Sequence, residues 1–121
     1  MEIIDLIGIP YKENGRDLDG LDCYGCAILA VKILTKKILK DITTFGNTMQ
    51  VARDNEPLIN VKKTNELKRG NVIEMYINNE LHIGVCLDDK TFIHSTRNQG
   101  VRISQILERG GMTIFNIYEV L

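Results

Sequence analysis

Long apolar runs are missing from this 121-residue chain. No stretch approaches the roughly 18 consecutive apolar residues that a membrane-spanning helix needs. The start, Met1-Glu2-Ile3-Ile4-Asp5, is acidic and its apolar run is short, so no signal peptide is expected. No basic run longer than a pair such as Lys36-Lys37 occurs, and the formal net charge is −1. That excludes the electrostatic footprint of a nucleic-acid binder. Cysteine is scarce and odd in number, at three, which argues against a complete disulfide framework and for reduced thiols. Histidine is scarcer still, at two. Internal repeats and low-complexity segments are also lacking. The expectation is a chain made in the cytoplasm, which a larger assembly would have to carry if it acts elsewhere.

What is present is an ordinary globular composition, 44% hydrophobic and 26% charged. It suits one domain over residues 1–121, large enough to bury a core without staples. Glu2 to Ile7 reads as a short helix stopped by Gly8. Lys12 to Gly20 is polar, contains two glycines and reads as a loop. Asp22 to about Lys36 carries the clearest helical signal. Ala27, Ala30, Val31 and Leu34 recur at helical spacing, and lysines gather at the end that suits the macrodipole. A further helix is expected near Asn47 to Asp54, ended before Pro57. From Gly70 the period changes from helix to strand. Five strands are expected, at Asn71–Ile77, Leu81–Leu87, Thr91–His94, Gly100–Ser104 and Met112–Val120, with Asn78-Asn79 as a hairpin turn. Helices followed by an antiparallel meander imply an α+β fold.

The chemistry concentrates at Gly20-Leu21-Asp22-Cys23-Tyr24-Gly25-Cys26. Asp22 is a good helix N-cap, which makes Cys23 the first helical residue. A thiol there feels the positive end of the helix dipole, and a thiolate is favoured. Cysteines at such a position can equally be inert core. Both histidines, His82 and His94, fall on neighbouring strands, where a hairpin can set them side by side. Cys23, His82 and His94 could supply nucleophile, base and orienting group. Alternatively, Cys23, Cys26, His82 and Cys86 supply the four soft ligands of a zinc site.

Several segments together resemble the NlpC-type cysteine peptidases, papain-like endopeptidases of bacterial cell-wall peptides. Ile7-Gly8-Ile9-Pro10-Tyr11 resembles the family's "lGxPY" segment. Gly20-Leu21-Asp22-Cys23-Tyr24-Gly25 resembles its "DCSG" nucleophile motif. Leu67-Lys68-Arg69-Gly70-Asn71-Val72 is similar to the "lxpGDlv" lead-in to the first strand. Leu81-His82-Ile83-Gly84-Val85-Cys86-Leu87 resembles "HVGIYLG", and Phe92-Ile93-His94-Ser95 resembles "fIHA". The separation of the two histidines, 94 − 82 = 12, also fits.

The resemblance implies a papain-like fold, with N-terminal helices on a five-stranded antiparallel sheet. It implies Cys23 as nucleophile, His82 as base and His94 as the group orienting His82. Tyr11, Asp22 and Tyr24 occupy substrate-binding positions. The implied substrate is a peptidoglycan stem peptide cut at a γ-D-glutamyl bond to a diamino acid, with no cofactor and no metal. Tyr24 stands where the family has a serine, and this aromatic looks more like the phage tail-associated branch. A tail or larger assembly is therefore an expected partner. A degenerate, peptide-binding tail protein is the second reading, and a zinc module the third.

Overall fold

The computed structural model describes residues 1–41, 60–78, 80–107 and 112–121. The predicted helix near Asn47 to Asp54 lies outside them. The first predicted helix is a single 3₁₀ turn, Ile3–Leu6, with Leu6 buried. The predicted loop over 12–20 contains a small hairpin. Its strands, β1 (Arg16–Asp17) and β2 (Gly20–Leu21), pair antiparallel. Helix α1 runs from Cys23 to Thr35. The Asp22 side chain accepts from the Gly25 amide at its start, and Lys36 closes it in the left-handed conformation. Asp22 thus sits where N-cap chemistry predicts, whereas Lys36 takes a left-handed conformation that C-caps usually give to glycine.

The sheet has six strands, one more than expected. They are β3 (Val61–Thr64), β4 (Val72–Ile77), β5 (Glu80–Cys86), β6 (Thr91–Thr96), β7 (Gly100–Gln105) and β8 (Met112–Val120). Their order is β3-β8-β4-β5-β6-β7, and every pairing is antiparallel. The meander therefore holds only from β4 to β7. The last strand returns to the outer edge of β4 and brings β3 in beyond it. β3 reads Val-Lys-Lys-Thr, with both lysines exposed, so it carries almost no apolar alternation. Its existence depends on pairing with β8, a contact remote in sequence.

Side chains alternate across the sheet. Val72, Ile83, Val85 and Ile93 face α1 and form the main core with Leu21, Ala27, Ala30 and Val31. Ile73, Met75, Cys86, Phe92 and Met112 form a second cluster on the opposite face. Among the described residues, no helix is long and apolar enough to cross a membrane. The architecture is α+β, a helix packed on an antiparallel sheet.

Candidate active site

One break in the sheet creates the site. β5 pairs with β6 only at Val85↔Ile93 and Cys86↔Phe92. Towards His82 the two strands part, and the Ile83 amide is left without a β6 carbonyl in register. That amide donates to the sulfur of Cys23. The start of α1 therefore meets the opening from one face of the sheet. His82 and His94, on the other alternation parity, approach it from the opposite face. All three line one cleft of about 810 Å³.

The two imidazoles are in direct contact, with His82 Nε2 2.6 Å from His94 Nδ1. The rings meet edge-on, their centroids 4.8 Å apart. His94 is 4% exposed, and its Nε2 lies 2.8 Å from the hydroxyl of Ser104 on β7. Phe92 packs against the His94 ring, with centroids 4.4 Å apart. The base candidate is thus the first of a chain of three side chains on three successive strands, β5, β6 and β7. Ser104 was not evident among the candidate residues. The signal was present, because Arg102 and Ser104 alternate onto one face of a predicted strand.

At the head of α1, Asp22 is buried and fully partnered. Its carboxylate accepts from the Gly25 amide at 2.7 Å, from Arg16 Nη1 at 2.6 Å and from the Asn14 amide at 3.1 Å. The Asp22 carbonyl takes the Cys26 amide at 2.9 Å. The amides of Tyr24 and of Cys23 itself gather at the Cys23 sulfur. Gly25 is required here by contact: a Cβ would come within 2.1 Å of the Gly15 carbonyl oxygen.

The electrostatics differ from the helix-dipole expectation. Burial pushes the Cys23 thiol up to about 11, against the lowering effect of those backbone amides. Burial likewise lowers His82 to about 4. His94 falls to about 3, through burial first and then the charges of His82 and Arg102. At neutral pH the resting cleft holds a thiol and two uncharged imidazoles. Desolvation of a cysteine only 9% exposed outweighs a helix terminus here.

Four of the six predicted site residues line the cleft: Tyr11, Cys23, His82 and His94. Asp22 and Tyr24 are not on its wall. Tyr24 is 1% exposed, and its hydroxyl donates to the Lys40 carbonyl at 2.6 Å. Its ring belongs to the main core. The four-ligand zinc arrangement is not assembled. Cys26 is in the core under α1 and Cys86 in the cluster on the other face. Among the described residues no three histidine, cysteine or acidic side chains are grouped to hold a metal.

This geometry agrees with the sequence relationships. The profile of the NlpC/P60 family matches residues 8–115. The chain belongs to the NlpC/P60 family. The match runs from Gly8, before Tyr11, to Phe115 on β8, so this NlpC/P60 region contains the whole cleft. A similar solved structure is the crystal structure of the NlpC/p60 domain of peptidoglycan hydrolase SagA. It superposes with a TM-score of 0.66 at 18% identity, over 98% of this chain and 92% of that one. At that identity the likeness is one of fold. No curated protein sequence matches the chain.

Proposed function

We propose that this NlpC/P60 domain is a cysteine endopeptidase of peptidoglycan stem peptides, cutting a γ-D-glutamyl bond to a diamino acid. The observation that carries the reading is the 2.6 Å contact between His82 and His94 in a cleft that also holds the Cys23 sulfur. One proton pattern leaves His82 able to act as a base. In it, His82 Nε2–H donates to His94 Nδ1, and His94 Nε2–H donates to Ser104 Oγ. His82 Nδ1 is then bare and accepts the thiol proton.

The Cys23 sulfur attacks the scissile amide carbonyl as that proton moves to His82. In this reading the backbone N–H of Cys23, at the helix start, donates to the developing oxyanion. His82 returns the proton to the leaving amine, and water then hydrolyses the thioester. Moving a proton from Cys23 to His82 creates an opposed ion pair inside the cleft. Its mutual attraction, added to the amide donors, is what must offset the burial that holds both groups neutral.

That same burial favours a second reading, a peptide-binding module without turnover. Digestion of purified peptidoglycan separates the two. New amino termini are expected with the unmutated chain and none with Cys23→Ala. Equal release by the two proteins would remove the hydrolase. A phage or prophage tail as the delivering assembly is part of the first reading. It is supported only by the aromatic in Gly-Leu-Asp-Cys-Tyr-Gly.

A further inference from the structure

The hydrogen-bond chain that begins at His82 ends in a hydroxyl, a group that can point its proton either way. Ser104 sits diagonally across from His94, two residues beyond Arg102, the register partner of His94 on β7. Its Oγ lies 2.8 Å from His94 Nε2. His94 Nδ1 in turn is 2.6 Å from His82 Nε2. Each contact joins two atoms that can donate or accept, and each holds one proton. Both rings are uncharged at neutral pH, so each carries a single N–H. Two proton patterns are then open. In the first, Ser104 Oγ accepts from His94 Nε2–H, His94 Nδ1 accepts from His82 Nε2–H, and His82 Nδ1 is bare. In the second, Ser104 O–H donates to His94 Nε2, His94 Nδ1–H donates to His82 Nε2, and His82 Nδ1 carries the proton. Only the first leaves a lone pair for the thiol proton of Cys23. A hydroxyl two side chains away thus decides whether the base can work.

We infer that Ser104 is a positioning residue: by accepting from His94 Nε2–H, it holds both imidazoles in the tautomers that leave His82 Nδ1 bare. The inference rests on the hydrolase reading and adds a fourth side chain to it. Ser104 is half-buried and lines the cleft, so its own proton can turn to solvent there. His94 has no such outlet. It is buried, Phe92 packs against its ring, and Ser104 is the partner of its Nε2 among the described residues. Arg102 stands beside the ring, but a guanidinium cannot accept an N–H. Its charge disfavours a second proton on His94. At the other end of the chain, the Cys23 sulfur already receives the amides of Ile83, Tyr24 and Cys23. A sulfur is a poor acceptor for one N–H more, and a bare His82 Nδ1 is the better complement to a thiol proton. Alanine at position 104 reverses the preference. The first pattern would strand a buried N–H on His94, whereas the second strands only a lone pair. An unpaired N–H is the rarer and costlier defect.

The test reads the tautomers directly. Nitrogen-15 NMR of the full chain with labelled histidine rings separates protonated from bare nitrogens. With two histidines only four ring nitrogens contribute, and His82→Gln assigns them. At pH 7 both Nε2 atoms are expected to be protonated and both Nδ1 atoms bare. Ser104→Ala is expected to shift both rings towards Nδ1–H, and Ser104→Thr, which keeps the hydroxyl, to restore them. Ser104→Cys keeps the volume with a weaker acceptor and should shift them as alanine does, so the outcome does not hang on one variant folding. Turnover of a soluble stem peptide is measured beside the spectra. The kcat of Ser104→Ala should fall about tenfold at unchanged KM, and Ser104→Thr should recover it. A protonated His82 Nδ1 or a charged ring in the unmutated chain would overturn the role. So would tautomers indifferent to Ser104→Ala and Ser104→Cys, a threonine variant that behaves as alanine, or a raised KM at unchanged kcat. Tautomers set by Ser104 without any cleavage keep the selection and remove the hydrolase. Cleavage with tautomers that ignore Ser104 keeps the hydrolase and removes the selection.

Discussion

Phe92 lies directly over Gly84: a Cβ on Gly84 would come within 2.6 Å of the Phe92 ring and 3.2 Å of the Ile93 carbonyl oxygen. The same ring packs against His94. Gly84→Ala is therefore expected to push Phe92 into the His94 ring. Overpacking of this kind costs about 1–3 kcal/mol. Urea denaturation should read that loss, and peptidoglycan cleavage should fall with it. A variant of unchanged stability and activity would mean that Phe92 can move aside freely.

The histidines are expected to differ in their importance. His82→Ala should be as inert as Cys23→Ala, since loss of a general base costs roughly 10²–10⁴-fold. His94→Ala should retain more activity, because His94 acts on the substrate only through His82. Initial rates on purified peptidoglycan compare them. Wild-type rates in His94→Ala would remove that residue from the site.

Tyr24→Phe deletes the hydroxyl that donates to the Lys40 carbonyl. The expected outcome is a stability loss of about 1 kcal/mol from one net hydrogen bond. No change in KM for a peptide substrate is expected, because the ring is in the core and not on the cleft wall. A raised KM at unchanged stability would contradict that placement.

Thiol reactivity should follow burial. With Cys23 pushed up to about 11, iodoacetamide labelling of Cys23 should climb steadily between pH 7 and the thiol's own titration. A plateau at neutral pH would instead reveal a resting thiolate–imidazolium pair.

Stability should respond to pH on both sides. His82 is lowered to about 4 and His94 to about 3 from 6.5. Below pH 6.5 the unfolded chain binds protons that the folded chain refuses. Stability is therefore complete above 6.5 and lost as pH falls towards 3. Cys23 and Cys86 are raised to about 11 from 9.0. Above pH 9 the folded chain keeps protons that the unfolded chain has released, so stability falls again between 9 and 11. Thermal melts across pH should give a flat-topped profile. Replacing both histidines with glutamine should flatten its acid limb.

The sequence announced what local chemistry controls. Asp22 before a run of helix formers marks the start of α1 wherever the helix later packs. His82 and His94 could be placed side by side because each sits in a short run with strand alternation, joined by a tight turn. β3 stayed hidden because Lys62 and Lys63 face water and its partner, β8, lies some fifty residues on. Asp22 and Tyr24 hold substrate-binding positions of the family motif, and the sequence does not show their burial: the Asp22 carboxylate accepts from Gly25, Arg16 and Asn14, and the Tyr24 ring is in the core. Dipole reasoning alone also missed the sign at Cys23, since it counts the helix and not the water removed.

The parted ladder between β5 and β6 makes the helix a plug in a slot. Both rings belong to the slot and the sulfur to the plug, and the Ile83 amide is a latch between them. Withdrawing α1 by a single residue's rise, about 1.5 Å, would unlatch the sulfur while every strand stayed paired. A ligand wedged between α1 and the sheet could therefore silence the centre without unfolding anything.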